Sequence, residues 1–283
     1  VKIFNTSSGQ KIGPTIRHAG KIVSVDENNA ASMLATSSDV GSIKVWDKKN
    51  LKEPILSIGV PTPDEKLDKQ NIYFGSEGKT IWIHSNRGTE CWNINSKEKI
   101  YELKNSWRGK VSRKSRDGMT SIAAHQNGVS IFEMNDGKEP SSIGLQVGSP
   151  ITDFLISNHK KFIAISSEDN FLRIWDTKDR TDPKFELEFD SVVNSLDHVQ
   201  KSNLVVAGCA SGRIYIIDQD KGIFTDHLKM QGKGPCVEVT TNSLGHIAAI
   251  FKTSDGAYSA AFELSTGRPL TGALNNLSLI HIS

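Results

Sequence analysis

Residues 150–176 read PITDFLISNHKKFIAISSEDNFLRIWD. Ile151 to Ile156, Phe162 to Ile165 and Phe171 to Trp175 are short runs rich in aromatic and β-branched residues. Between the last two lies Ser166-Ser167-Glu168-Asp169-Asn170, and an Asp-Asn step flanked by such runs predicts a hairpin. Ser157-Asn158-His159-Lys160-Lys161 is the earlier turn. A polar stretch after Asp176, TKDRTDP, leads to a fourth run, Phe185 to Phe189. Four antiparallel strands in about 40 residues make one small sheet. Apolar side chains fall at both parities of these runs, so each sheet is expected to be covered on both faces.

The same rhythm recurs. The bulky residue that closes the third run, with its polar follower, appears as Phe4-Asn5, Trp46-Asp47, Trp92-Asn93, Phe132-Glu133, Trp175-Asp176, Ile217-Asp218 and Phe262-Glu263, at intervals of 42, 46, 40, 43, 42 and 45 residues. A turn and an apolar run precede each of the later six, as in SSDVGSIKVWD, SNRGTECWN, HQNGVSIFE and GCASGRIYIID. A period in the low forties with four strands per repeat predicts an all-β, seven-bladed β-propeller of four-stranded antiparallel blades.

SIKVWD and FLRIWD resemble the end of a WD repeat, and the pattern extends over essentially the whole chain. In the first full repeat His18 precedes KIVSV, Ser37 and Asp39 sit at the next hairpin, and Trp46 closes the third strand. The resemblance implies that His18, Ser37, Asp39 and Trp46 form a hydrogen-bonded network bracing the blade. Later repeats depart from it. The one ending at Trp175 keeps Asp169 but shows no matching His, and those ending at Trp92 and Ile217 lack the hairpin Asp.

Composition agrees with a folded β protein. The 283 residues are 37% hydrophobic and 7% aromatic, with a net charge of +2. Large all-β folds form one domain at this length, so residues 1–283 are read as a single propeller. The small net charge implies neither nucleic acid nor a membrane surface. Cys91, Cys209 and Cys236 are odd in number and scattered, pointing to an intracellular compartment, cytoplasmic or nuclear. No apolar run is long enough to span a bilayer, and no signal-peptide pattern is present. The sequons at Asn5 and Asn276 are of a kind common by chance.

The ends of the chain complete the count. Val1 to Phe4 reads as a third strand and Gln10 to Ile16 as a fourth, while Leu277 to Ile282 reads as a first strand. Residues 1–16 and 277–283 are therefore expected to share the closing blade, which removes exposed sheet edges. The second strand of that blade is not evident. Residues 59–71, GVPTPDEKLDKQN, read as a surface loop.

Residues 104–116, KNSWRGKVSRKSR, carry six cations (Lys104, Arg108, Lys110, Arg113, Lys114 and Arg116), no acid, and Trp107. They fall where one repeat's fourth strand gives way to the next repeat's first, a place where apolar residues belong. Such a local break marks a candidate site. One reading is a solvated loop or a charged strand edge. Another is capture of an acidic or phosphorylated partner. Nucleic acid is possible but not favoured, since the rest of the chain has no basic excess.

The catalytic signals are weak. His18, Ser37 and Asp39 include the residue types of a hydrolase triad, but no nucleophile elbow accompanies them. GSEGKT at 75–80 ends like a phosphate loop, yet its glycines are too close and TIWIH after it reads as strand. GKGPC at 232–236 does not complete a dinucleotide motif. His84 and His125 occupy comparable hairpin positions, a weak metal pair without cysteine or carboxylate support. No catalytic residue, metal or cofactor is expected, and the chain is read as no enzyme.

The sequence is best read as a protein-interaction scaffold, a subunit or adaptor of a complex, binding a partner protein or peptide on a propeller rim. The candidate face is Arg17, Arg87, Trp107, Arg108, Lys110, Arg113, Lys114, Arg116 and Arg213, with cations around an aromatic anchor. An RNA-associated assembly subunit using the 104–116 segment and a quinoprotein-like propeller enzyme are the alternatives, since propellers host many functions.

Overall fold

A computed structural model describes residues 1–5, 7–59, 70–85, 87–104, 112–115, 118–125, 128–135, 142–157, 161–179, 181–200, 202–225, 230–231, 233–270 and 274–275. The expected closing strand at 277–282, most of the 59–71 loop, and Trp107, Arg108, Lys110 and Arg116 lie outside them. Among the described residues the regular structure is all strand. The chain divides into two compact units, Val1–His125 with Val129–Gly144, and Gln126–Gly128 with Leu145–Ser283.

In the first unit, β1 (Ile3–Phe4) and β2 (Lys11–Ile12) form a two-stranded sheet. Four-stranded sheets follow in chain order: β3 (Ile22–Asn28), β4 (Met33–Ser38), β5 (Ile43–Asp47) and β6 (Leu56–Ile58); then β7 (Gln70–Phe74), β8 (Thr80–Ser85), β9 (Gly88–Asn93) and β10 (Lys99–Leu103); then β11 (Ser112–Lys114), β12 (Thr120–His125), β13 (Gly128–Glu133) and β14 (Ser142–Gln146). The second unit continues with β15 (Ile151–Ile156), β16 (Phe162–Ser167), β17 (Phe171–Asp176) and β18 (Phe185–Glu188). Its next sheet is β19 (Val193–His198), β20 (Leu204–Cys209), β21 (Arg213–Asp218) and β22 (Ile223–Phe224), with β23 (Met230–Gln231) also on β21. The last is β24 (Cys236–Thr241), β25 (His246–Thr253), β26 (Gly256–Glu263) and β27 (Leu274–Asn275). Each sheet is antiparallel with strands in sequence order, so the seven sheets are the seven blades of a β-propeller.

The local signals explain the strands. Asn170 turns the β16–β17 hairpin with φ of 67°, a left-handed conformation that Asn tolerates. Its predecessor Asp169 accepts the Phe171 N–H at 3.1 Å. The middle strands carry the core. β16 is buried throughout, and β4, β8 and β20 nearly so, as two-faced covering demands. Ala35, Val45, Ile72, Phe74 and Ile81 join the β3–β6 and β7–β10 sheets. Leu172, Phe189, Val193 and Val205 join β15–β18 to β19–β22.

Polar side chains lock successive first strands together. Ser24 and Asp26 on β3 accept the N–H groups of Ile72 (3.2 Å) and Phe74 (2.7 Å) on β7. Asp153 on β15 accepts the Leu196 N–H of β19 at 2.7 Å. Ser195 and Asp197 on β19 accept Val239 (3.2 Å) and Thr241 (2.6 Å) of β24. Asp153 is 2% exposed, so replacing it with Ala strands a buried N–H, at a cost of about 1–3 kcal/mol. Asp153→Ala is expected to lower the urea unfolding free energy by about 2 kcal/mol. Asp153→Asn, which keeps an oxygen acceptor, is expected to lose less. Equal losses from the two variants would show that the acceptor is not what matters.

Candidate functional site

Of the expected His18 network only His18 and Trp46 meet, and Ser37 and Asp39 stand apart from them. His18 Nε2 lies 2.6 Å from Thr36 Oγ1, and the Trp46 indole N–H donates to the same oxygen at 2.9 Å. The hydroxyl is Thr36, not the expected Ser37. Thr36 pairs with Lys44 and Ser37 with Ile43 across β4–β5, and adjacent strand residues point to opposite faces. The Ser37 hydroxyl is buried without a hydrogen-bond partner among the described residues. Asp39 stands outside the network, its Oδ1 accepting the Lys21 N–H at 2.8 Å. His18, Ser37 and Asp39 therefore do not assemble as a triad; the hydroxyl beside His18 braces the Trp46 indole.

A second, unforeseen network centres on His84. Its Nδ1 lies 2.8 Å from Thr89 Oγ1 and its Nε2 2.9 Å from Ser121 Oγ of the next sheet. The ring sits against Tyr73 and Phe132. Both nitrogens are thus engaged by hydroxyls, which is the opposite of a metal ligand's requirement. The His125 side chain lies outside the described residues. Among the described residues no cluster of three or more His, Cys, Asp or Glu is placed to hold a metal.

The cations fall into two groups. Lys114 is spent inside the fold: its Nζ contacts both carboxylate oxygens of Asp26 at 2.6 Å and lies 5.7 Å over the Tyr73 ring. Tyr73 in turn donates its hydroxyl to the Ser112 carbonyl at 2.6 Å. Arg113, beside Lys114 on β11, is half-buried. Arg17 is exposed in the segment before β3, where its carbonyl accepts Lys44 Nζ at 3.4 Å. Arg87 is exposed in the β8–β9 turn. Arg213 opens β21 after the β20–β21 hairpin and pairs with Asp190 at 2.8 Å. Trp107, Arg108, Lys110 and Arg116 lie outside the described residues. The sequence reading missed Asp26, Asp153 and Asp197; the available signal was an acid inside an otherwise apolar first strand, as in IVSVD, ITD and VNSLD.

Comparison with known proteins places this geometry. Residues 144–176 match the family model of the WD domain, G-beta repeat. A chain in the crystal structure of the mitotic checkpoint complex is similar with a TM-score of 0.65 and 12% identity, over 88% of this chain and 78% of that one. At that identity the likeness speaks for the fold. No curated protein matches the sequence significantly. Residues 144–176 are thus a WD repeat, set in a β-propeller fold.

Burial pushes the pKa of His84 down to about 3. Burial, then the charges of Lys44 and the N-terminal ammonium, push that of half-buried His18 down to about 4. Folding therefore favours the neutral rings. Their contribution is complete above the ordinary value of 6.5 and is lost as pH falls from there toward the folded values. For His84 the loss is about 1.4 kcal/mol per pH unit; solvent screening makes the share of His18 smaller. Unfolding free energies measured at about pH 7 and about pH 4 are expected to differ by about 3 kcal/mol from His84 alone. His84→Gln is expected to be less stable at pH 7 and to show a shallower acid slope. An unchanged slope would refute the assignment.

Proposed function

We propose that the chain is a non-catalytic interaction scaffold that binds a partner protein or peptide through cations carried at hairpin ends and in residues 104–116. The observation that carries this reading is how the polar residues are used. His18, Thr36, His84, Asp26, Asp153 and Asp197 are engaged in hydrogen bonds that hold strands and sheets together. Arg17 and Arg87 stand exposed beside well-braced sheets. Rigid sheets carrying charged loops supply recognition without supplying a reacting group.

The partner chemistry follows from the cation type. Guanidinium groups match carboxylates and phosphates with paired hydrogen bonds, so an acidic or phosphorylated segment is the expected ligand. The mitotic checkpoint complex is itself a protein assembly, in keeping with a role as an adaptor or complex subunit. The three cysteines are buried and none forms a disulfide, which fits a reducing, intracellular compartment. Among the described residues no helix is long and apolar enough to cross a membrane.

The test is affinity purification with quantitative mass spectrometry. Arg113→Glu with Arg116→Glu, and separately Arg17→Glu with Arg87→Glu, are expected to deplete the bound partners by about tenfold, the effect of losing one good charged contact. Thermal unfolding of each variant checks that the fold persists. Retention of every partner by folded variants would overturn the reading.

A further inference from the structure

Two adjoining clefts open between the β15–β18 and β19–β22 sheets, with volumes of about 440 Å³ and about 270 Å³. They share Lys161, Gln219 and Asp220. Lys161, the β17–β18 connection, the β19–β20 turn at Ser202 and Asn203, and the β21–β22 turn line them. Trp175, buried at the end of β17, forms one wall. The turn beyond Gln219 is pressed against β18 at Gly222, where an added Cβ would lie 2.3 Å from the Phe185 ring. The combined space is that of a pocket for a small ligand or a short peptide segment.

The charges in this cleft are unbalanced in use. Lys161, Lys178 and Lys184 line the larger cleft, and none forms an ion pair among the described residues. Two carboxylates line it as well, each accepting a hydrogen bond from a neutral amide and neither ion-paired with the three lysines among the described residues. Asp176 accepts the Lys178 N–H at 2.8 Å, and Asp220 accepts Asn203 Nδ2 at 3.3 Å. Other long cations on the same two sheets are paired: Arg173 with Asp169 and Glu186, Arg213 with Asp190, and Lys221 with Asp218. Among the described residues the cleft thus holds three ammonium groups outside any ion pair against two carboxylates, with Lys184 lying over the Phe185 ring at 5.0 Å.

Gln219 supplies the second, independent sign of a ligand. It is 7% exposed, lines both clefts, and its Oε1 is buried with no hydrogen-bond donor among the described residues. Its backbone is fixed, with the N–H donating to the Asn203 carbonyl at 3.0 Å. A buried acceptor without a donor is unfavourable, and the terminal amide torsion is soft enough to turn the oxygen toward the cleft. The lysines call for an anion and this oxygen for a donor, while the Trp175 wall offers phosphate no apolar partner. An extended peptide brings both, carboxylates on its side chains and N–H groups on its backbone.

We propose that this cleft is a second binding site, separate from the hairpin-end cations, for an extended acidic peptide segment. Its Asp or Glu carboxylates meet Lys161, Lys178 and Lys184, one backbone N–H donates to Gln219 Oε1, and an apolar side chain rests against Trp175.

The test uses the full chain and a fluorescein-labelled decapeptide rich in Glu, followed by anisotropy. A Gln-for-Glu version and inorganic phosphate serve as controls. The Glu peptide is expected to bind at least about tenfold more tightly than the Gln peptide, as charge-assisted contacts imply. The Lys161→Glu, Lys178→Glu, Lys184→Glu variant is expected to lose about tenfold or more, and to lose it equally in the Arg113→Glu, Arg116→Glu background, where the other proposed site is already impaired. Gln219→Met is expected to weaken binding severalfold with the salt dependence unchanged. The three lysines are exposed, so their variant stays informative even if Gln219→Met fails to fold. Undiminished binding by the lysine variant overturns the proposal, as does full competition by phosphate with no effect of Gln219→Met. Loss only in the arginine variant also overturns it, and leaves the hairpin-end reading standing.

Discussion

A first strand in each sheet has a neighbour on one side only, so every second N–H faces away from its own sheet. Those groups are what the structure must satisfy. Ile72 and Phe74, two residues apart on β7, donate to Ser24 and Asp26, two residues apart on β3. Val239 and Thr241 on β24 donate in the same way to Ser195 and Asp197 on β19. Alternation along the strand makes the two rungs coincide. Side chains of one sheet thus complete the unpaired edge of the next, a form of edge protection that adds no strand.

The same locks give the repeat length a mechanical meaning. Donor and acceptor lie 48 residues apart between β3 and β7, 43 between β15 and β19, and 44 between β19 and β24. These separations track the spacing of the bulky residues that close the third strands. The largest falls where the 59–71 connection adds length without disturbing either rung. Loops can grow because the strands, not the connections, carry the register. The histidines belong to this economy of polar groups. His84 joins two sheets through hydroxyls, and His18 steadies the Thr36–Trp46 contact, so residue types that resemble catalysts serve as braces.

The blades were legible because their signals are local. Trp46, Trp175 and the Asp169-Asn170 turn announce strand ends within a dozen residues, and periodicity does the rest. The features that were not legible depend on one-residue parity or on distance. Thr36 and Ser37 are neighbours of similar chemistry, and only the β4–β5 pairing shows which faces His18. Lys114 looked like a free cation among five others, yet its partner Asp26 is 88 residues away. The cleft around Gln219 draws on connections of two sheets whose residues have nothing in common as a motif.

That contrast bears on how charge is read. A dense run such as 104–116 draws the eye because its cations adjoin in sequence, but adjacency does not say which are available. Lys114 is drawn inward because Asp26 stands on a nearby first strand and Tyr73 offers its ring face. Lys161, Lys178 and Lys184 are unremarkable in sequence, and they line one cleft only because antiparallel pairing brings alternate turns to the same end of a sheet. Phe162 pairs with Asp176 and Ile163 with Trp175, which sets Lys161 beside the β17–β18 connection. Availability is a property of the register: strand pairing, not adjacency in sequence, decides whether a cation meets a carboxylate in an ion pair or stands outside one.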